Sequence, residues 1–191
     1  MLEKLPASLG RALRHKRPGL DELVIGDPAL ADIDEGIVVS SAAFLDGDEL
    51  PVRFTADGEG VSPPLEWSGV PEDAAAVVLL IEDADSPTRH PLVHAIVWDL
   101  DGSGGALREG VLPRSGGEDG LPTMGRNSYL RAGYLPPDPP PGHGTHRYAV
   151  QIFALDRRPR FDATPGRSRL VDCLRRHALA KGMLIGTYER R

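Results

Sequence analysis

Two stretches of the sequence gather side chains able to do chemistry, and both adjoin apolar runs. The first is Glu82-Asp83-Ala84-Asp85-Ser86-Pro87, which follows Val77–Ile81 and precedes His94. If the extended backbone continues, alternation puts Asp83 and Asp85 on one side, and Pro87 fixes the exit of the chain. Paired carboxylates there could orient a base, meet a cation, or satisfy their own turn as Asx residues do. The second is Pro139-Pro140-Pro141-Gly142-His143-Gly144-Thr145-His146-Arg147-Tyr148, which leads into the apolar run ending at Leu155. Its prolines stiffen the approach, while Gly142 and Gly144 admit unusual dihedrals and close access to the backbone. Such a loop can turn N–H groups toward an anion, and a ring nitrogen of His146 can donate another hydrogen bond.

Together the two stretches supply carboxylates, two or three imidazoles, glycine amides and a proline wall. That inventory suits a small polar pocket for a phosphate-sized anion beside an amine. The histidines and amides would hold the anion, and Asp83 would orient a histidine or meet the amine. A metal held by Asp83, Asp85, His94 and His146 is the alternative use of the same residues. Those ligands are scattered, and the His143-x-x-His146 spacing is weak evidence for metal. A hydrolase using Asp83 with His94 or His146 needs an activated nucleophile, but Ser62, Ser86 and Ser128 lack a Gly-x-Ser-x-Gly setting. Neither a phosphate-binding Walker loop nor a dinucleotide fingerprint occurs. The expectation is a non-enzymatic binding protein without cofactor or metal.

The elements that must position these residues are mostly strands. The 22 glycines and 18 prolines make up about a fifth of the 191 residues, too many for a continuous helical bundle and too few for low complexity. Apolar runs at Ile37–Val39, Val52–Thr55, Val77–Ile81, His94–Trp98, Tyr148–Leu155 and Met183–Tyr188 predict strands. Ser168–Lys181 has helical periodicity with Gly182 as its stop, and Cys173 within it reads as buried filler. Leu2, Leu5, Leu9 and Leu13 fall at helical spacing beside Lys4, Arg11, Arg14, Lys16 and Arg17, and Pro18-Gly19 ends the pattern. A short helix there would dock on the domain or on a second subunit as a homodimer, or lie on a membrane surface. The acidic stretch Asp21–Glu35 reads as a solvated connection. A net charge of −6 argues against nucleic acid as a partner. A lone cysteine, with neither a secretory signal nor a membrane-spanning run, suggests a soluble cytoplasmic protein.

Four ordered stretches give a family resemblance. They are Ser62-Pro63-Pro64-Leu65-Glu66-Trp67 with Val70-Pro71, Asp83-Ala84-Asp85-Ser86-Pro87 with His94, Gly125-Arg126-Asn127-Ser128-Tyr129, and Pro139-Pro140 through Gly142, Gly144, His146, Arg147 and Tyr148. In these the chain resembles the phosphatidylethanolamine-binding protein family, in its bacterial Raf-kinase-inhibitor-like branch. The resemblance implies a mainly β fold, a Greek-key-like β-sandwich over residues 36–191 with a few short peripheral helices. Residues 1–35 would form an N-terminal helical extension and acidic connection. It implies a pocket for phosphate, phosphoethanolamine or another small phosphate- or carboxylate-bearing ligand, including a phospholipid head group. Asp83, Pro87, His94, Pro139, Gly142, Gly144, His146 and Tyr148 would line or support that pocket. His94 and His146 would donate to the anion and Tyr148 would buttress the floor, whereas Arg147 reads better as a structural ion-pair partner. Three departures stand out. Ala84 and Ser86 alter the acidic loop, Leu92 stands where relatives carry an aromatic, and no helix follows Tyr188 as in animal relatives. The last of these predicts a more open pocket mouth.

Overall fold

Val77–Ile81 is apolar without interruption because it is buried on both faces, and the other elements are arranged around it. The computed structural model describes residues 6–115 and 122–190. Its elements are α1 (Ala7–Leu13), β1 (Val38–Ser40), β2 (Leu65–Ser68), β3 (Ala76–Asp83), β4 (Leu92–Asp101), β5 (Gly105–Leu107), β6 (His146–Leu155), α2 (Arg167–His177) and β7 (Ala178–Tyr188). The strands form two antiparallel sheets, β1-β2-β5 and β4-β3-β6-β7. The fold is mainly β, as expected.

Alternation along β3 divides the core. Val77, Leu79 and Ile81 point toward the small sheet, where they join Val39, Leu65, Trp67, Val97 and Ile152. Val78 and Leu80 point the other way and pack with Val24, Leu30, Ile96, Phe153, Leu170 and Leu174. A strand covered on both sides needs apolar residues at every position. Cys173 belongs to this second cluster and is buried.

Three expectations about local structure are corrected. Val52–Phe54 is a 3-10 turn rather than a strand. Pro51 opens it, Thr55 closes it through its N–H and hydroxyl on the Val52 carbonyl, and the curl drives Phe54 into the interior. Helix α2 ends at His177, and the chain passes directly into β7 at Ala178. Gly182 therefore lies within β7, where it allows the Ile37 backbone to approach closely, and does not stop the helix. The stretch from Asp21 to Glu35 is not a solvated connection, because Leu23, Val24 and Leu30 are buried. Its 3-10 turns (Leu20–Glu22, Val24–Gly26, Pro28–Leu30) are pinned by the fully buried Glu82. That carboxylate accepts from Val24 N, Gln151 Nε2 and Arg167 Nε at 3.0, 2.9 and 2.7 Å. At the N-terminus, Leu2 and Leu5 lie outside the described residues. In α1 Leu9 is exposed, Leu13 is half-buried and Gly10 is the buried residue, packed against the Pro141 carbonyl and His143 N.

Candidate functional site

Antiparallel pairing brings the chemistry together. Asp83 is the last residue of β3, and it pairs with Leu92 near the start of β4 and with Tyr148 near the start of β6. The C-terminal end of β3 thus meets the N-terminal ends of both neighbours, carrying Asp83, His94 and His146 to one end of the large sheet.

Each carboxylate of the acidic loop is committed to the protein. Asp83 Oδ1 accepts from Asp85 N at 2.8 Å, an Asx turn, and Asp83 Oδ2 lies 2.7 Å from His146 Nδ1. Asp85, fully buried, receives the guanidinium fork of Arg147 at 2.7 Å on each oxygen, the Arg147 backbone N–H, and Arg17 at 3.2 Å. Burial pushes the Asp85 carboxyl up, but Arg147's hydrogen bonds and charge outweigh it and hold the group below the ordinary range. Arg147 is a structural partner. Among the described residues no group of three His, Cys, Asp or Glu side chains could hold a metal ion.

His146 is the middle of a buried chain. Its Nε2 lies 2.7 Å from His143 Nδ1, and His143 Nε2 lies 2.9 Å from the carbonyl of Leu13 in α1. Both ends of the chain, the Asp83 carboxylate and the Leu13 carbonyl, are acceptors. Burial, with the charge of His146 next, lowers the pKa of His143, which keeps that imidazole neutral. Both nitrogens of His146 are used internally, so the expectation that it donates to a ligand does not fit this geometry.

His94 differs. Its Nδ1–H donates to the Leu135 carbonyl at 2.6 Å, and its Nε2 is buried with no partner among the described residues. The ring stands edge-on to Tyr148, whose hydroxyl is also buried without a partner among the described residues. Burial is the main cause that lowers the pKa of His94, and neutral His94 presents a lone pair at Nε2. Asp83, Pro87, His94 and His146 border a cavity of about 20 Å³, together with Ser86, Leu92, Tyr129, Asp138 and Pro140. That volume holds about one water. Tyr129 supplies an aromatic wall beside Leu92.

The remaining expected residues lie around this cavity and do not border it. The Pro139 carbonyl accepts from Arg190. Tyr148 backs His94 and borders a second, apolar cavity of about 20 Å³. Gly142 and Gly144 have φ of 75° and 95°, and their open faces receive α1 and Arg17. Sequence reasoning missed Tyr129, Asp138, Arg114 and Arg131. The narrow cavity adjoins a recess of about 370 Å³ that shares Tyr129, Leu135, Pro136 and Asp138 and adds Arg114 and Arg131. The buried Asn127 builds that wall: its Oδ1 accepts from Tyr129 N and Arg131 N, and its Nδ2 donates to Gly133 O. The Gly-Arg-Asn stretch was the signal for this loop, but its direction was not readable.

Residues 40–189 match the sequence model of the family described as phosphatidylethanolamine-binding protein. A UPF0098 protein of Pyrococcus abyssi is 32% identical over 94% of this chain and 100% of its own length. The crystal structure of a putative phosphatidylethanolamine-binding protein homolog from Chlamydia trachomatis is 31% identical. It covers 83% of this chain and 100% of that one, with a TM-score of 0.72. Escherichia coli YbcL, described as a member of the mammalian family, shares the fold with a TM-score of 0.74 at 24% identity, over 82% of this chain and 99% of that one.

Proposed function

The chain belongs to the phosphatidylethanolamine-binding protein family, and from that premise we propose that it is a non-enzymatic binding protein for a small phosphate-bearing ligand. The observation that carries the reading is His94 Nε2, a buried ring nitrogen without a partner among the described residues, in a cavity too small for a whole phosphate. One ligand oxygen enters the cavity and meets Nε2, while the rest of the anion occupies the adjoining recess beside Arg114 and Arg131. Tyr129 is a neutral donor at the junction, since burial and the charge of Asp138 raise its pKa. Asp138 on the same rim already accepts from Arg190 Nη1 at 2.7 Å, and its charge adds a negative edge that suits the ammonium end of phosphoethanolamine. Asp83 positions His146 and does not touch the ligand.

A binding rather than hydrolytic role is supported by where the buried chain ends. Asp83, His146 and His143 stand in the order of a catalytic relay, yet His143 Nε2 terminates on a backbone carbonyl that has no proton to give. The order therefore activates no nucleophile.

The test is a titration of phosphoethanolamine and of inorganic phosphate into the full chain, following the His94 ring signals. Saturable shifts in the wild type that disappear in His94→Ala are expected. Binding of equal strength in His94→Ala would remove the basis of the proposal.

A further inference from the structure

Helix α2 and the loop after β6 enclose a groove at the other end of the large sheet from His94. It lies beyond Leu155, about 30 Å along β6 from His146 at the rise of an extended strand. The groove has a volume of about 610 Å³, within the range of small-molecule sites. Five of the 22 basic residues line it, in a chain whose net charge is −6.

Two of these five are committed elsewhere. Arg157 pairs with Asp156, and Arg158 with Asp99 and Asp101. Arg160, Arg169 and Arg176 have no acid partner within 4 Å among the described residues, although Asp172 lies in the same groove. Arg176 in the last turn of α2 complements the helix dipole, but that explanation does not reach Arg169 in the first turn or Arg160 in the loop. Arg169 and Arg176 are anchored about 10 Å apart along the helix, a spacing suited to charge spread over more than one group. The guanidinium fork matches phosphate oxygens in pairs. Between the arginines the groove is apolar, formed by Phe161, Pro159 and Cys173.

We propose that this groove is a second ligand site, for a small organic molecule that carries two phosphate groups beside a flat apolar part. The phosphates bridge Arg160, Arg169 and Arg176, and the apolar part lies on Phe161. This site is independent of the His94 cavity and of any ligand there.

Adenosine diphosphate serves as the probe, with inorganic phosphate as comparator, in calorimetric titrations of the full chain. The three arginines are exposed, so the triple variants Arg160→Gln/Arg169→Gln/Arg176→Gln and Arg160→Lys/Arg169→Lys/Arg176→Lys should keep the wild-type melting temperature. Saturable binding of adenosine diphosphate, tighter than phosphate, is expected in the wild type and in His94→Ala. It should be abolished in the Gln variant and weakened roughly tenfold in the Lys variant, which keeps the charge and loses the fork. Absence of saturable binding at millimolar concentrations would overturn the proposal. So would binding that persists in the Gln variant or is undiminished in the Lys variant. Loss of binding in His94→Ala alone would assign the probe to the other cavity and likewise overturn it.

Discussion

If phosphate binds as proposed, a single proton at His94 decides how. The free imidazole is kept neutral mainly by burial, with the charge of His146 adding to it and Asp83 and the Leu135 carbonyl opposing. Its Nε2 then offers a lone pair, which repels a bare anionic oxygen. The pair becomes attractive once it holds one proton, either on the ligand oxygen or on Nε2. A phosphodiester such as glycerophosphoethanolamine has no second proton, so His94 must supply it. Binding then raises the His94 pKa above its free value, and affinity follows the linkage between the two. Affinity is expected to be greatest and flat below the free-state pKa, itself below 6.5. It falls as pH rises toward the bound-state pKa and levels off above it. Isothermal titration across pH 5–8 checks this, and a profile that rises with pH would contradict it. That His94 borders this cavity could be read from its place after the acidic loop. That both nitrogens of His146 face protein partners could not, because His143 and Asp83 reach them only in three dimensions.

Among the elements, α1 is held by little surface and much geometry. Gly10 packs against the Pro141 carbonyl and His143 N, where a Cβ has no room. Arg17 continues the attachment by donating to the carbonyls of Thr145 and His143. Gly10→Ala should therefore lift α1 from the loop while the sheets stay intact. Trypsin cleavage at Arg11 and Arg14 is expected to quicken by roughly tenfold or more, as local opening dictates, with the melting transition shifted by only a few degrees. Unchanged cleavage would show that the loop gives way and keeps the helix seated. The strands β3, β4 and β6 were legible because a continuous apolar run of strand length leaves few alternatives. The end of α2 was not. Leu179, Ala180 and Lys181 suit a helix, and β7 takes them by pairing Ala178–Tyr188 with the whole length of β6. For the same reason Val52–Phe54, with strand-like composition but no strand beside it, curls into a turn.

Over the whole molecule, arginine–carboxylate pairs join segments that are distant in sequence. Asp27 meets Arg175, Asp57 meets Arg190, and Asp85 meets Arg147 and Arg17. Each of these carboxyls is held below its ordinary range. Arg175's hydrogen bond is the largest influence at Asp27, whereas at Asp57 and Asp85 burial pushes up and the arginine bonds outweigh it. A depressed folded-state pKa stabilises the fold above the unfolded value, about 3.9 for aspartate, and that contribution is lost as pH falls through the folded value. The melting temperature should begin to fall gently below about pH 6.5, where unfolding lets His94 and His143 take up protons that burial disfavours, and drop steeply below about 4 as the carboxylates are protonated. Asp85 is the pair to test, because it is fully buried and ties the acidic loop, β6 and the N-terminal segment together. Asp85→Asn removes the charge while keeping the shape, and should cost about 3 kcal/mol at pH 7, the lower end for a broken buried pair, since Arg147 can still reach water. In denaturant titrations the variant should also lose less stability on acidification than the wild type, because one of the carboxylates that must be protonated is gone. Equal acid sensitivity in both proteins would place the acid response in the other two pairs and leave Asp85 a purely geometric tie.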